Sequence, residues 1–235
     1  MSIARAIWRN DLTCIVRDRT VGVLLFVPLI FLALLRFGVP PLEDQWPALG
    51  DHHAVLLGLF CVIVGMFPAF MMAFIMLDER DQGLFAVFRV LPVSPGRLLG
   101  HRVTMVVVLG LLYPLLLTLG AGMGSYGVGR ALVLAALCAA GGAVALLVAV
   151  SLAKNKIECL TAFKALYVLA AGGAAGGLGA LEGWNRVPAV LPTYWVFAAY
   201  DARGTGAFLT AALVAVLLYG LCAWVFYRMF RRNFS

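Results

Sequence analysis

Long charge-free apolar runs, separated by short polar interruptions, set the pattern of this chain. The uncharged stretches cover 20–35, 54–77, 103–123, 131–153, 165–181 and 207–227, each close to the ~20 residues with which a helix crosses about 30 Å of hydrocarbon. They predict an all-α membrane protein, a single transmembrane domain over 1–235 with six spans at about 20–37, 54–77, 103–123, 131–153, 163–181 and 207–227. Ahead of the first span, Ile3, Ile7 and Ile15 fall roughly opposite Arg5, Arg9 and Arg17. Residues 1–19 therefore read either as a helix lying in the membrane surface or as a basic anchor that fixes topology.

The interruption at 77–102, "LDERDQGLFAVFRVLPVSPGRLLGHR", is richer than a connector needs to be. Asp78, Glu79 and Asp81 open it, four arginines run through it, and an apolar stretch lies in its middle. After Gly83, "LFAVFRVL" sets Leu84, Phe88 and Leu91 on one helical face until Pro92 stops the turn,. Ser94 and Pro95 then make an N-cap and first-turn pair for the helix that enters the third span. A short helix held below the membrane results, with Glu79 and Arg80 at its start. It suits a groove on a cytosolic subunit, or equally a bed of lipid headgroups.

Two later stretches carry packing signals. In "AAGGAAGGLGAL", Gly172, Gly176 and Ala180 share one helical face and Gly173 and Gly177 the next. Small residues four apart let helix backbones approach closely in lipid, against another helix of this chain or a second subunit. Residues 182–206 are too long and aromatic for a plain loop. Pro188 and Pro192 break them, and Trp184, Tyr194, Trp195 and Tyr200 suit an interfacial belt, so the segment is expected to be extracytoplasmic or re-entrant. Pro28, Pro68 and Pro114 lie within spans and predict kinks.

Composition agrees: 63% of residues are hydrophobic and 12% charged, where a soluble domain has roughly a quarter charged. With the N-terminus in the cytoplasm, 14 of the 18 basic residues fall on the cytoplasmic side, leaving Arg36, Arg130, Arg186 and Arg203 outside,. Both termini are then cytoplasmic, and the +7 net charge needs no nucleic-acid partner. Nineteen polar-rich residues precede the first apolar stretch, with no small-residue cleavage site after it, so it is expected to be an uncleaved anchor. The five cysteines, Cys14, Cys61, Cys138, Cys159 and Cys222, fall in spans or cytoplasmic segments and read as packing residues.

Candidate chemistry is defined mostly by what is missing. All eleven carboxylates, all the basic residues and His52, His53 and His101 are expected outside the membrane stretches, which counts against an ion-coupled transporter, an intramembrane metal site or a buried general base. "GMGSYG" satisfies a dinucleotide fingerprint in letters only, since no strand precedes it, and none of the three lysines follows a glycine as a phosphate-binding loop requires,. No catalytic residue, metal ligand or resident cofactor is expected, and the driving force must reach the chain through a contact with another protein.

"ERDQGLFAVFRVLPVSPGRLLGHR" resembles the loop of type-2 ABC exporter permeases, in which a Glu and a basic residue precede a glycine and a Pro-Val-Ser element leads into the third span. The six-span layout, the N-terminal surface helix and the long insertion before span six are similar too. "NKIECLTAFKAL" and "LPTYW" resemble the actinobacterial fluoroquinolone-export permeases. Leu84 departs from the small hydroxylated residue often found after the glycine. The resemblance implies that 1–19 is an elbow helix and that 84–91 is a coupling helix, with Glu79, Arg80, Gly83, Leu84, Phe85, Phe88, Arg89 and Leu91 contacting a separate cytosolic ABC ATPase that binds ATP and Mg. It further implies that two permease subunits, in a homo- or heterodimer, enclose the pathway in a bacterial plasma membrane. Phe88→Asp or Leu84→Asp should leave membrane insertion intact and abolish substrate-stimulated ATP hydrolysis in the reconstituted complex; unchanged stimulation would mean that 84–91 rests on lipid.

Overall fold

In a computed structural model of the chain, residues 26–82, 95–177 and 188–234 are described, and among them all regular structure is helical. The elbow segment 1–19 and the coupling segment 84–91 lie outside the described residues. The elements are α1 (Val27–Ala33), a π-helical turn (Leu34–Gly38), α2 (Val39–Gln45), α3 (His53–Asp81), α4 (Pro95–Gly120), α5 (Val128–Leu152), α6 (Lys156–Gly177), α7 (Pro192–Asp201) and α8 (Thr205–Phe234). Short 3-10 turns at Pro47–His52 and Pro188–Val190 precede α3 and α7. Among the described residues, five helices are long and apolar enough to cross a membrane: α3 with its preceding turn, α4, α5, α6 and α8.

The first apolar run does not stop near residue 37. α1, the π-turn and α2 follow one another without a break to Gln45. Pro40 and Pro41 cannot donate to the carbonyls of Arg36 and Phe37, and a proline ring crowds the carbonyl four residues back. The backbone responds by widening one turn, so that the Val39 N–H reaches back five residues to the Leu34 carbonyl,. Pro68 and Pro114 lie inside α3 and α4, whereas Pro28 stands in the first turn of α1 as described. α4 opens on Pro95, where the missing N–H costs nothing,.

α6 starts at Lys156, well ahead of the expected 163, for a local reason. The Glu158 N–H donates to Asn155 Oδ1 at 2.9 Å, and the Lys154 N–H donates to Glu158 Oε2 at 2.8 Å. This reciprocal cap satisfies two backbone donors that a helix start would leave bare. It also makes Lys164 an interior residue of a candidate spanning helix, a correction to the expectation that every basic residue lies outside the spans.

α3, α4 and α5 form the centre of the bundle, and glycines set how closely they meet. The Gly65 carbonyl occupies the place where a Cβ on Gly142 would sit and lies 3.1 Å from where one on Gly110 would sit. A Cβ on Gly65 would in turn meet the Cys138 carbonyl at 3.0 Å. Three backbones thus converge at one level, with Cys138, Val106 and Ala139 packed around them,.

α7 packs against α3, α6 and α8, burying Val196, Phe197, Ala199 and Tyr200. Its rings press on Gly58 of α3, where a Cβ would come within 3.0 Å of Phe197 and 3.1 Å of Tyr200. Tyr200, expected in an interfacial belt, is only 2% exposed. The short helix directs it inward, and its hydroxyl finds a hydrogen bond there.

Gly142→Ala should destabilise the protein by about 1–3 kcal/mol, and Gly142→Leu by more. Gly220→Ala, at a site with open space around the glycine, should be near neutral. Thermal unfolding in detergent reads the difference.

Candidate functional site

The end of α3 presents three consecutive charged residues, and a helix turns 100° per residue, so Asp78, Glu79 and Arg80 point in three directions. Each finds a different neighbouring element. Asp78 Oδ1 pairs with Lys156 Nζ of α6 at 2.5 Å. Glu79 accepts two hydrogen bonds from Arg102 of α4, at 2.7 and 2.6 Å. Arg80 Nη1 donates to the Ala153 carbonyl just past α5 at 3.4 Å. The foot of α3 is therefore tied to α4, α5 and α6 at once, and the chain leaves it at Gln82 towards 84–91.

These ties differ in strength. The Arg102 side chain is 1% exposed and Glu79 12%, and the geometry is a bidentate fork, the strongest form of carboxylate recognition. Asp78 and Lys156 are far more open to solvent, and such a pair adds little alone,. The Lys156 ammonium also stands 5.5 Å from the Phe74 ring centroid,. A further link at this end runs from Ser151 Oγ of α5, which donates to the Phe226 carbonyl of α8 at 3.0 Å.

The opposite end is held mostly by neutral groups, with Arg130 and Glu43, which lies 3.2 Å from His53 Nε2, as charged exceptions. The Thr118 and Tyr200 hydroxyls are 3.1 Å apart, Cys61 Sγ lies 3.6 Å from Thr118 Oγ1 and donates to the Pro114 carbonyl at 3.7 Å, and the Tyr126 hydroxyl donates to the Tyr200 carbonyl at 3.0 Å. Burial pushes the Tyr126 phenol up to about 12, with nearby Arg130 drawing it down, so it remains a donor at neutral pH. Arg130 Nη2 donates to the Ala202 carbonyl, and its guanidinium sits 4.5 Å from the Phe208 ring centroid.

Of the residues singled out from sequence, Glu79 and Arg80 stand in this inner cluster. Gly83, Leu84, Phe85, Phe88, Arg89 and Leu91 lie outside the described residues. The glycines of α6 face α7 within the same chain: a Cβ on Gly173 would meet Thr193 Oγ1 at 2.7 Å, and one on Gly176 would meet the Pro188 Cβ at 2.9 Å. Gly172 is looser, with Leu191 at 3.9 Å, and Gly177 ends the helix. Sequence reasoning used Arg102 and Lys156 only as topology markers and missed both as partners. The available signal was a carboxylate at the foot of one span facing cations at the start of the next spans.

Among the described residues the fold is that of an all-helical, multi-pass membrane protein. The chain belongs to the family described as "Fluoroquinolones export permease protein Rv2686c-like", which matches residues 11–227. Two curated relatives from Mycobacterium tuberculosis are each 28% identical over 234 residues, covering 96% of this chain and 93% of theirs. They are Fluoroquinolones export permease protein Rv2686c of strain ATCC 25618 / H37Rv and its MT2760 counterpart of strain CDC 1551 / Oshkosh.

Breaking the buried pair from one side should cost about 3–5 kcal/mol, because the remaining charge is left uncompensated. Glu79→Gln and Arg102→Met should each lower the unfolding temperature markedly. The double variant should recover much of the loss, a non-additivity read by a double-mutant cycle.

Proposed function

We propose that this chain is the permease subunit of an ATP-driven exporter that moves hydrophobic or amphipathic drugs out of the cell and thereby contributes to antibiotic resistance. In this reading the protein sits in a bacterial plasma membrane with six spans, the first completed by α1 and the π-turn, and with both termini in the cytoplasm. Thirteen of the 18 basic residues, Lys164 left aside because it lies inside α6, support that orientation. A separate cytosolic ABC ATPase binds ATP and Mg, and a second permease subunit completes the pathway. The printed names of the relatives supply the substrate class.

The observation that carries the proposal is the three-way tie at the foot of α3. In this reading residues 84–91 form a coupling helix that receives the ATPase, with Glu79, Arg80 and Gly83 leading into it and Leu84, Phe85, Phe88, Arg89 and Leu91 offering its contact surface. A displacement of that helix enters α3 one residue below Asp81. Asp78, Glu79 and Arg80 pass it at once to α6, α4 and the end of α5. Nucleotide-dependent closure of the ATPases would then tilt a bundle rather than bend a single helix.

Proteoliposomes holding the chain with its nucleotide-binding subunit should accumulate a fluoroquinolone only with Mg–ATP, and a pH gradient alone should drive nothing. Uptake that follows the proton gradient without nucleotide would replace this reading with a secondary transporter. Absence of any substrate-dependent ATP hydrolysis would favour a non-transporting membrane component.

A further inference from the structure

Lys164 occupies an unusual place. α6 begins at Lys156, so Lys164 lies eight residues inside it, about 12 Å along the axis. A second helix gives the same depth. Lys156 pairs with Asp78, while Phe163, next to Lys164, meets Phe70 edge-on at 5.2 Å, and Phe70 is eight residues before Asp78 on α3. Lys164 is thus well to the membrane side of the charged layer, and its stem covers only about half the way back.

Its surroundings are exposed and apolar. Lys164 is exposed, one turn from Leu160 at 43% and Val168 at 69% exposure. The Thr161 hydroxyl is spent on the Ile157 carbonyl. Half-buried Tyr167 sets an aromatic ring three residues on, within 6.3 Å of Phe163. The exposed faces of α4 and α8 at comparable depth carry side chains such as Val108, Leu112, Leu213 and Leu217. Arg228, stacked on Trp224 at 3.9 Å, lies beyond Phe226 and so at the level of Ser151, outside this zone. A cation facing hydrocarbon is costly, and such residues ordinarily face a cavity or a charged partner.

We infer that Lys164 and the α6 face around it bind the carboxylate of an amphipathic aromatic acid, the substrate class that the pathway takes up from the leaflet at the α3 foot. The inference rests on the export reading above and narrows it. A single ammonium amid Leu160, Val168 and Tyr167 complements a molecule with one anionic group on an apolar aromatic body: the charge pairs with the amine, and the rings lie on apolar surface. In surroundings of low dielectric that pairing is far stronger than in water.

The test is equilibrium binding of a fluoroquinolone, a fluorescent aromatic carboxylate, and of its methyl ester to the purified full chain in phosphatidylcholine nanodiscs. Lys164→Gln should weaken binding of the acid about tenfold and leave the ester unchanged, and Lys164→Arg should restore the acid. Equal affinity of Lys164→Gln and wild type for the acid would overturn the inference and leave the amine to lipid headgroups. Equal losses for acid and ester would overturn it too, as damage to packing. Failure of the export reading would appear elsewhere, as wild-type proteoliposomes that show no Mg–ATP-dependent uptake while acid and ester are still told apart in nanodiscs.

Discussion

The bundle depends on the contact of the Gly65 carbonyl with the backbones of Gly110 and Gly142. It fixes the register of α3, α4 and α5, and the charged ends follow from that register. Glu79 lies fourteen residues beyond Gly65, about 21 Å along α3, whereas Arg102 lies eight residues from Gly110, about 12 Å along the antiparallel α4. The offset is what an extended arginine spans, so Arg102 starts inside the bundle, buries its stem and meets Glu79 at the rim. Ala153 is eleven residues from Gly142 and Arg80 fifteen from Gly65, and again the arginine reaches back to close the gap. A side chain at any of the three glycines would push the helices apart at the middle and misplace each of these partners.

Much of the architecture was legible because lipid tolerates few alternatives: a charge-free run of about twenty residues must be a helix. The boundaries were less legible. Residues 154–164 carry three lysines and a glutamate, which reads as a cytoplasmic connector, yet the Asn155 and Glu158 cap starts a helix there. The cap had a sequence signature in its three-residue spacing, and charge content masked it. The extension of the first helix past residue 37 was hidden because Arg36 ends the charge-free run and Pro40 and Pro41 follow it. A π-turn absorbs them without ending the helix.

Pairings across the bundle were legible in kind but not in identity. The glycines of α6 announced close packing, and their spacing could not say that the partner is α7 of the same chain. Glu79 stood out as part of a polar interruption, but its partner Arg102 is 23 residues away on α4, a pairing that no local spacing announces. Tyr200 was misread for a related reason. An aromatic residue near a span end usually serves the interface, and α7 instead turns this one inward to Thr118.

The links that α3 makes to its neighbours differ in kind between its two ends. At the α3 foot, a buried bidentate ion pair and a guanidinium-to-carbonyl bond hold the helices, and charge-assisted bonds are roughly twice as strong as neutral ones. At the other end the links among α3, α4 and α7 are one hydroxyl pair and two long contacts from the Cys61 thiol, a weak donor. Between them lies the glycine crossing, where the three backbones meet with Cys138, Val106 and Ala139 packed around them. In the exporter reading, a load that enters below Asp81 reaches α4, α5 and α6 through the charged layer. The long bonds of the Cys61 thiol to Pro114 and Thr118 are then the weakest links along α3.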